Sequence, residues 1–260
     1  MSAAVKHPAE RWRVDASSKT LVRDLAEEVP VAIGLNGGDH IVLMATPGDL
    51  EDLAAGFVVT ERIAAFDRIL ETRIERVAAG FTVEVRLEGR PAIRERRLTS
   101  RSSCGLCGVT ALRDAVRPVP LVESDLCVTR SAIHRALGEL EDRQALGQLT
   151  RATHAAALAD SSGAVVLVRE DVGRHNALDK LVGAALRAGL PAREHMVLVT
   201  SRCSFEMVDK TAVFGSPILI SVSAPTALAV DLAKEAGLTL AALARADGHT
   251  VFSHSQRILP

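Results

Sequence analysis

Apolar residues recur along this chain in two rhythms, and the change between them falls near residue 120. In the first half, Val29–Leu35 and His40–Met44 are apolar runs around Asn36-Gly37-Gly38-Asp39. That predicts a hairpin, because Asn-Gly accepts the positive φ of a tight turn. Thr46-Pro47-Gly48-Asp49 reads as a helix start, with Thr46 as cap, Pro47 in the first position and Asp49 against the positive end. Leu50, Leu53, Ala54 and Phe57 follow at helical spacing and form one buried stripe. Phe81, Val83, Val85 and Leu87 alternate with Thr82, Glu84 and Arg86, as in a half-solvated strand. Residues 1 to about 18 read as a ragged lead-in, with Trp12 anchored against the body. The pattern predicts a small, strand-rich mixed α+β domain over residues 1–120, with Pro118 and Pro120 marking a linker.

Residues 121–260 alternate differently. A helix is expected near Ser131–Leu149, then an apolar run Ala164–Val168. Helices at Asn176–Ala188, Phe205–Phe214 and Thr226–Ala236 interleave with strands at Met196–Val199, Ile218–Val222 and Leu238–Leu243. This rhythm predicts an α/β domain, a mostly parallel sheet with helices on its faces. In such sheets ligands lie beyond the carboxyl ends of the strands. The segments there are Glu170-Asp171-Val172-Gly173-Arg174-His175-Asn176, Ser201-Arg202-Cys203-Ser204, Ser223-Ala224-Pro225-Thr226 and Arg245-Ala246-Asp247-Gly248. All are polar and three lead into helix N-termini. Free N–H groups, the helix dipole, Arg174 and Arg202 would together bind a phosphate or pyrophosphate.

Composition narrows the function classes. The 260 residues are 48% hydrophobic with a formal net charge of −1 and 3% aromatics. Without a basic excess or stacking platforms, nucleic acid is not the expected partner. Met1–Asp15 carries no apolar signal core and no run reaches membrane-spanning length, so a cytoplasmic protein is expected. Four cysteines in that setting point to functional thiols rather than a disulfide framework.

Two of them form Ser102-Ser103-Cys104-Gly105-Leu106-Cys107-Gly108, after the basic run Arg94, Arg96, Arg97 and Arg101. Nearby arginines favour the reactive thiolate. Three readings stand open on the motif alone: half of a zinc site, a thioredoxin-like redox pair, or a sulfur carrier. A zinc deaminase is excluded, since its mechanism needs an H-x-E motif and none occurs. Of the single residues, His154 stands in an apolar stretch and reads either as a core histidine or as a ligand contact. His175 belongs to the ligand or to the turn. Glu170 and Asp171 accept bonds from a ligand or pair with Arg174. Asp179 reads as a dipole-friendly acid, Lys180 as a solvated base, and Glu206–Lys210 as an i,i+4 pair. Cys203 suits packing, and Cys127 has no chemical context.

With these pieces in place, the chain resembles the FdhD family, sulfur carrier proteins required to activate formate dehydrogenases. The matching stretches are Ala26-Glu27-Glu28-Val29-Pro30, Thr46-Pro47-Gly48-Asp49-Leu50-Glu51-Asp52, Ser103-Cys104-Gly105-Leu106-Cys107-Gly108 and Glu170 through Lys180. Glu206-Met207-Val208 with Lys210, and Ser223-Ala224-Pro225-Thr226, continue the match. The resemblance implies a cytidine deaminase-like three-layer C-terminal domain without zinc, and a homodimer. It implies a sulfurtransferase that takes sulfur from a cysteine desulfurase as a cysteine persulfide. That sulfur passes to molybdenum in a bis(molybdopterin guanine dinucleotide) cofactor, bound as substrate and mimicked by a GDP-like nucleotide, for use by formate dehydrogenase. Cys104 then carries the persulfide, Cys107 is the second thiol, and Arg97 and Arg101 stabilise the anion.

The rim reading and the resemblance together assign His154, Glu170, Asp171, Gly173, Arg174, His175, Asn176, Ser201, Arg202, Ser204, Ser223 and Thr226 to the cofactor. They add Leu243-Ala244-Arg245-Ala246-Asp247-Gly248, with Arg245 as an anion contact, and no metal ligands. The chain departs from the family pattern at Arg151-Ala152, where Gly-Gly is usual, and at Thr200-Ser201-Arg202, where Ser-Gly-Arg is common. Residues 243–248 also lack the family's aromatic and proline. The alternatives to sulfur transfer are a cofactor-holding chaperone and a thiol-disulfide oxidoreductase.

Overall fold

The structure is a computed structural model and describes residues 3–15, 17–38, 40–92 and 117–260. The chain opens with β1 (Ala4–Trp12) and β2 (Ser18–Ala26), paired antiparallel as a two-stranded sheet among the described residues. The ragged lead-in is therefore a hairpin, hidden from the sequence because both of its faces are largely exposed and neither shows a clean apolar alternation. Trp12 is 72% exposed, so it is not the anchor expected of it.

Next come β3 (Val29–Leu35), β4 (His40–Ala45) and α1 (Leu50–Thr60), followed by β5 (Ile69–Val77) and β6 (Gly80–Leu87). The four strands form one sheet in the order β4-β3-β6-β5. Its inner face (Val31, Ile33, Phe81, Val83) packs on Leu50, Leu53, Ala54 and Phe57 of α1, the stripe read from the sequence. Thr46 does not cap this helix. The cap position is Asp49, in the left-handed region with φ 54°, and no side chain caps it.

The remainder forms a six-stranded sheet with helices on both faces. Its strands are β8 (His154–Ala159), β9 (Val165–Asp171), β10 (Met196–Val199), β11 (Ile218–Ser221), β12 (Thr239–Arg245) and β13 (Gly248–Ser253), ordered β13-β12-β11-β10-β8-β9. A short strand β7 (Val128–Thr129) pairs separately with β14 (Ile258–Leu259). Only β10, β11 and β12 run parallel; β8, β9 and β13 are antiparallel to their neighbours, so the sheet is mixed rather than mostly parallel. Two hairpins account for the difference. The β8–β9 hairpin was masked by the alanine run of β8, since alanine is a poor strand signal. Its turn is nonetheless well built: the Asp160 carboxylate accepts from the N–H of Ser162 and Ala164.

Helices α4 (Arg174–Arg187), α5 (Phe205–Phe214) and α6 (Ala227–Glu235) bury Leu178, Leu181, Met207 and Leu232 with Leu158, Val197, Leu219 and Leu240 on one face. Helix α2 (Arg130–Asp142) covers the other through Ile133 and Leu140, next to the short α3 (Ala145–Thr150). Thr129 caps α2, its Oγ1 accepting from Ala132 N at 3.1 Å. Thr129→Ala should lower stability by about 1 kcal/mol, read as a shift in urea midpoint at constant m.

One helix pair joins the sheets. Helices α1 and α4 cross antiparallel at Gly56 and Gly183, so close that a Cβ on Gly56 would sit 1.8 Å from the Asp179 carbonyl oxygen. Ion pairs from Arg187 to Glu51 and Asp52 flank the crossing at one end, and a hydrogen bond from the Thr60 hydroxyl to the Asp179 carboxylate flanks it at the other.

Candidate functional site: the strand-end rim

Strand directions bring the predicted segments to one edge. The carboxyl ends of β9, β10, β11 and β12 share it with the amino ends of β8 and β13, because His154 pairs with Asp171, Val199 with Ala156, and Arg245 with Gly248. Helices α4, α5 and α6 all start there. Thr226 caps α6, its Oγ1 accepting from Ala229 N at 3.3 Å. Gly173 and Ser204, at the cap positions of α4 and α5, make no side-chain cap. Both helix starts point their N-terminal N–H groups and positive dipole ends at the rim.

The side chains around them are mostly basic residues. Arg174 and His175 form the first turn of α4, Arg202 is exposed on the turn before α5, and His154 opens β8. His175 Nε2 lies 2.9 Å from the Glu206 carboxylate, which ties the first turns of α4 and α5 together. Burial raises the pKa of Glu206, but its bond and attraction to His175, with Lys210 and Arg174 adding to them, outweigh that and hold it below the ordinary value. Burial pushes the pKa of His154 down, and Arg174, His175 and Arg202 push it further. Arg174 Nε and Ser204 Oγ are buried without a hydrogen-bond partner among the described residues. Orphaned donors of this kind are costly. Beside two uncapped helix starts they suit a phosphate-bearing ligand.

Other predicted contacts are committed inside the protein. Glu170 points to the opposite face, where its carboxylate accepts from Leu146 N, Gly147 N and Thr153 Oγ1 and so holds the start of α3. Asp171 is fully buried and takes bonds from Thr46, Gly173 N, Asn176 and Lys180. The Asn176 amide also donates to Met44 O. These three residues shape the rim from beneath rather than line its opening. Ser201 is buried, with its hydroxyl on Arg202 O, and the Ser223 carbonyl accepts from Leu243 N. Residues 243–248 span the end of β12, the Ala246-Asp247 turn and the first residue of β13; Leu243 is exposed at φ 54°, Ala244 is buried, and Arg245 is exposed.

Two sequence readings need correction. Lys180 is buried, not solvated, and Asp179 is buried beside it rather than placed to serve the helix dipole. Lys180 Nζ lies 2.7 Å from Asp171 and donates to Thr46 Oγ1 at 2.8 Å and to Thr46 O at 3.1 Å. Lys210 does not pair with Glu206. It meets Asp179 at 2.9 Å, Glu61 at 3.1 Å and Thr60 Oγ1 at 2.8 Å. Burial opposes the Lys210 charge, yet Asp179 and Glu61 prevail and raise its pKa. Thr46 was missed as a participant; its partners are more than a hundred residues away, so spacing held no sign of them.

Cys104, Cys107 and Arg94, Arg96, Arg97 and Arg101 lie outside the described residues. The chain on either side of them is fixed. Ala92 N donates to Ile63 O at 3.0 Å; Arg117 bonds the Glu61 carbonyl and carboxylate at 3.0 and 3.1 Å; Arg62 bonds Pro118 O at 2.9 Å. These anchors sit at the C-terminal end of α1, which the antiparallel crossing directs toward the rim. Glu61 is bridged by Lys210 to α5, roughly 8 Å along the helix from its rim end. Cys203 is buried and its thiol is pushed up to about 12 by desolvation, in keeping with packing. Cys127 is exposed.

A cavity of about 800 Å³ lies at the other end of the sheet, lined by Glu123, Asp125, Asp160 and Glu194 beside Arg193 and His195. Its carboxylates disfavour an anion. Among the described residues no cluster of three or more His, Cys, Asp or Glu is arranged for a metal ion. No helix among them is long and apolar enough to cross a membrane.

Fold and edge together define a mixed α/β protein in which three helices start at one strand-end rim. Residues 26–259 match the model of the FdhD/NarQ family. The chain is 47% identical over 240 residues to a sulfur carrier protein FdhD of Bordetella bronchiseptica, covering 90% of this chain and 87% of that protein. It is 43% identical over 269 residues to its counterpart in Agrobacterium fabrum, covering 100% and 98%. It is also similar to the crystal structure of a formate dehydrogenase accessory protein from Desulfotalea psychrophila, with a TM-score of 0.79 and 29% identity over 99% of this chain and 100% of that one. The chain belongs to the FdhD/NarQ family.

Proposed function

We propose that this protein is a sulfurtransferase that carries sulfur on Cys104 as a persulfide and delivers it to the molybdenum of a bis(molybdopterin guanine dinucleotide) cofactor seated on the rim, activating formate dehydrogenase. Relatives named as sulfur carriers support the first part. The second rests on one observation: uncapped starts of α4 and α5 beside Arg174 Nε and Ser204 Oγ, orphaned donors that suit the diphosphate of a guanine dinucleotide.

Loading is thiol chemistry. The Cys104 thiolate attacks the outer sulfur of a cysteine desulfurase persulfide, a new S–S bond forms, and the desulfurase leaves as its own thiolate. Twelve residues separate Cys104 from the anchor at Ala92, a contour of at most about 40 Å. The cofactor is cargo in this scheme. The chain's part is to hold the diphosphate with helix N–H groups and arginines and to present the sulfur.

A three-layer, cytidine deaminase-like arrangement of residues 121–260 belongs to the same proposal, supported by helices on both faces of the sheet. So does a homodimer, supported by the exposed apolar side chains Trp12, Val14 and Val22.

Incubation with a cysteine desulfurase and cysteine should add about 32 Da, removable by reductant, to the wild type and not to Cys104→Ala. An adduct on no cysteine would overturn sulfur carriage. A Cys104→Ala variant that still activated apo-formate dehydrogenase would leave only the chaperone reading.

A further inference from the structure

His154 is placed by strand parity on a particular face of the sheet. Ala156 and Leu158, two and four residues on, belong to the core beneath α4 and α5, while Ala155, Ala157 and Ala159 belong to the α2 side. His154 therefore faces the side from which α4 and α5 rise. Asp171 stands opposite it on β9. The N–H of Ala155 bonds Thr200 Oγ1 at 2.9 Å, which draws the Ser201–Arg202 turn alongside.

The charges facing this imidazole come from every neighbouring element. Helix α4 contributes Arg174 and His175, and the turn before α5 contributes Arg202. Two carboxylates lie near. Asp171 is already engaged by Lys180, Thr46 and Gly173, and Glu206 by His175. Glu170 is on the opposite face, holding α3. Arg174 and Arg202 thus outnumber the acids not already engaged, and burial together with that charge disfavours the protonated form of His154.

An anion lodged against Arg174 and Arg202 reverses the local potential. The imidazole is then beside negative charge rather than positive, and an added N–H becomes a further donor to the ligand. We propose that His154 takes up a proton when a phosphate-bearing ligand settles on the rim, so that binding is pH-linked. This rests on the rim being the ligand site, as proposed above.

Linkage fixes the sign. A group that binds its proton more tightly in the complex makes affinity rise as pH falls through the window between its free and bound pKa values. The limit is tenfold per pH unit, since one pKa unit is a factor of ten in an equilibrium constant. Below the free value the effect saturates.

Guanosine diphosphate serves as probe. Titration calorimetry in two buffers of different ionisation heat counts the protons absorbed, and the dissociation constant is followed from pH 6 to pH 8. Wild type should absorb more protons than His154→Gln at neutral pH, and its dissociation constant should rise about 3–10-fold more over the range. The nucleotide's own phosphate titration appears in both proteins and cancels. Should His154→Gln fold poorly, the NMR titration of His154 in the wild type, with and without nucleotide, reads the same quantity: its pKa should rise on binding. Equal proton uptake in both proteins, which would place the proton on His175 or the ligand, overturns the inference, as does an unmoved His154 titration. A wild type that fails to bind the nucleotide at any pH overturns the rim as ligand site instead.

Discussion

Lys180→Met is expected to destabilise the protein by about 3–5 kcal/mol. The Lys180 side chain is 0% exposed and its ammonium group has three partners: Asp171 Oδ2 at 2.7 Å, Thr46 Oγ1 at 2.8 Å and Thr46 O at 3.1 Å. Methionine fills much of the volume, so little cavity forms. The loss is electrostatic. Asp171 keeps its place among Thr46, Gly173 and Asn176 but loses its counter-charge in a site where it too is 0% exposed. An uncompensated buried carboxylate is among the larger single-site penalties known. Urea unfolding at pH 7 would show a midpoint shift of that size at unchanged m. A second variant, Lys180→Met with Asp171→Asn, should recover part of it by removing the stranded charge. A single variant within 1 kcal/mol of wild type would mean that water reaches the pair and that the joint between the two sheets is looser than described.

Gly56→Ala should lose about 3 kcal/mol or more, at the upper end for overpacking. The added carbon would lie 1.8 Å from Asp179 O, 2.6 Å from Asp179 C and 2.9 Å from Gly183 N. These are backbone atoms, so no side-chain rotation relieves the clash. The helices must move apart by an ångström or so, about the margin between a hydrogen bond and none. The contacts bridging α1 to α4 and α5, Thr60 to Asp179 at 2.7 Å and Lys210 to Glu61 at 3.1 Å, would lengthen with them. Alanine is the better helix former by about 1 kcal/mol, so propensity alone predicts the opposite sign. A gain or a neutral result would show that the crossing can open without loss.

These two expectations mark where reading by pattern stops. The Asn-Gly hairpin, the stripe of α1, the alternation of β6 and the starts of α4, α5 and α6 were visible because each depends on residues a few positions apart. The rim followed from strand order. Gly173, Arg174 and Ser204 come to it because they sit at helix starts, and Arg202 because it lies on the turn before one. Lys180 looked solvated because its partners Thr46 and Asp171 meet it only after both sheets have formed. Thr46-Pro47-Gly48-Asp49 looked like a helix start, and the helix does begin there, but the threonine is drawn across to the other sheet. The first hairpin has no buried face to leave a rhythm in the sequence, and β8 is spelled in alanine.

The anchors of residues 93–116 have a topological consequence. Ala92 is tied to Ile63, and Arg117 to Glu61, so residues 92 and 117 are held within three consecutive positions of one helix end. Doubling the length of chain that joins two fixed points costs only about 0.6 kcal/mol in closure entropy. The scaffold therefore tolerates a change in the number of residues between these two positions at little cost to its stability.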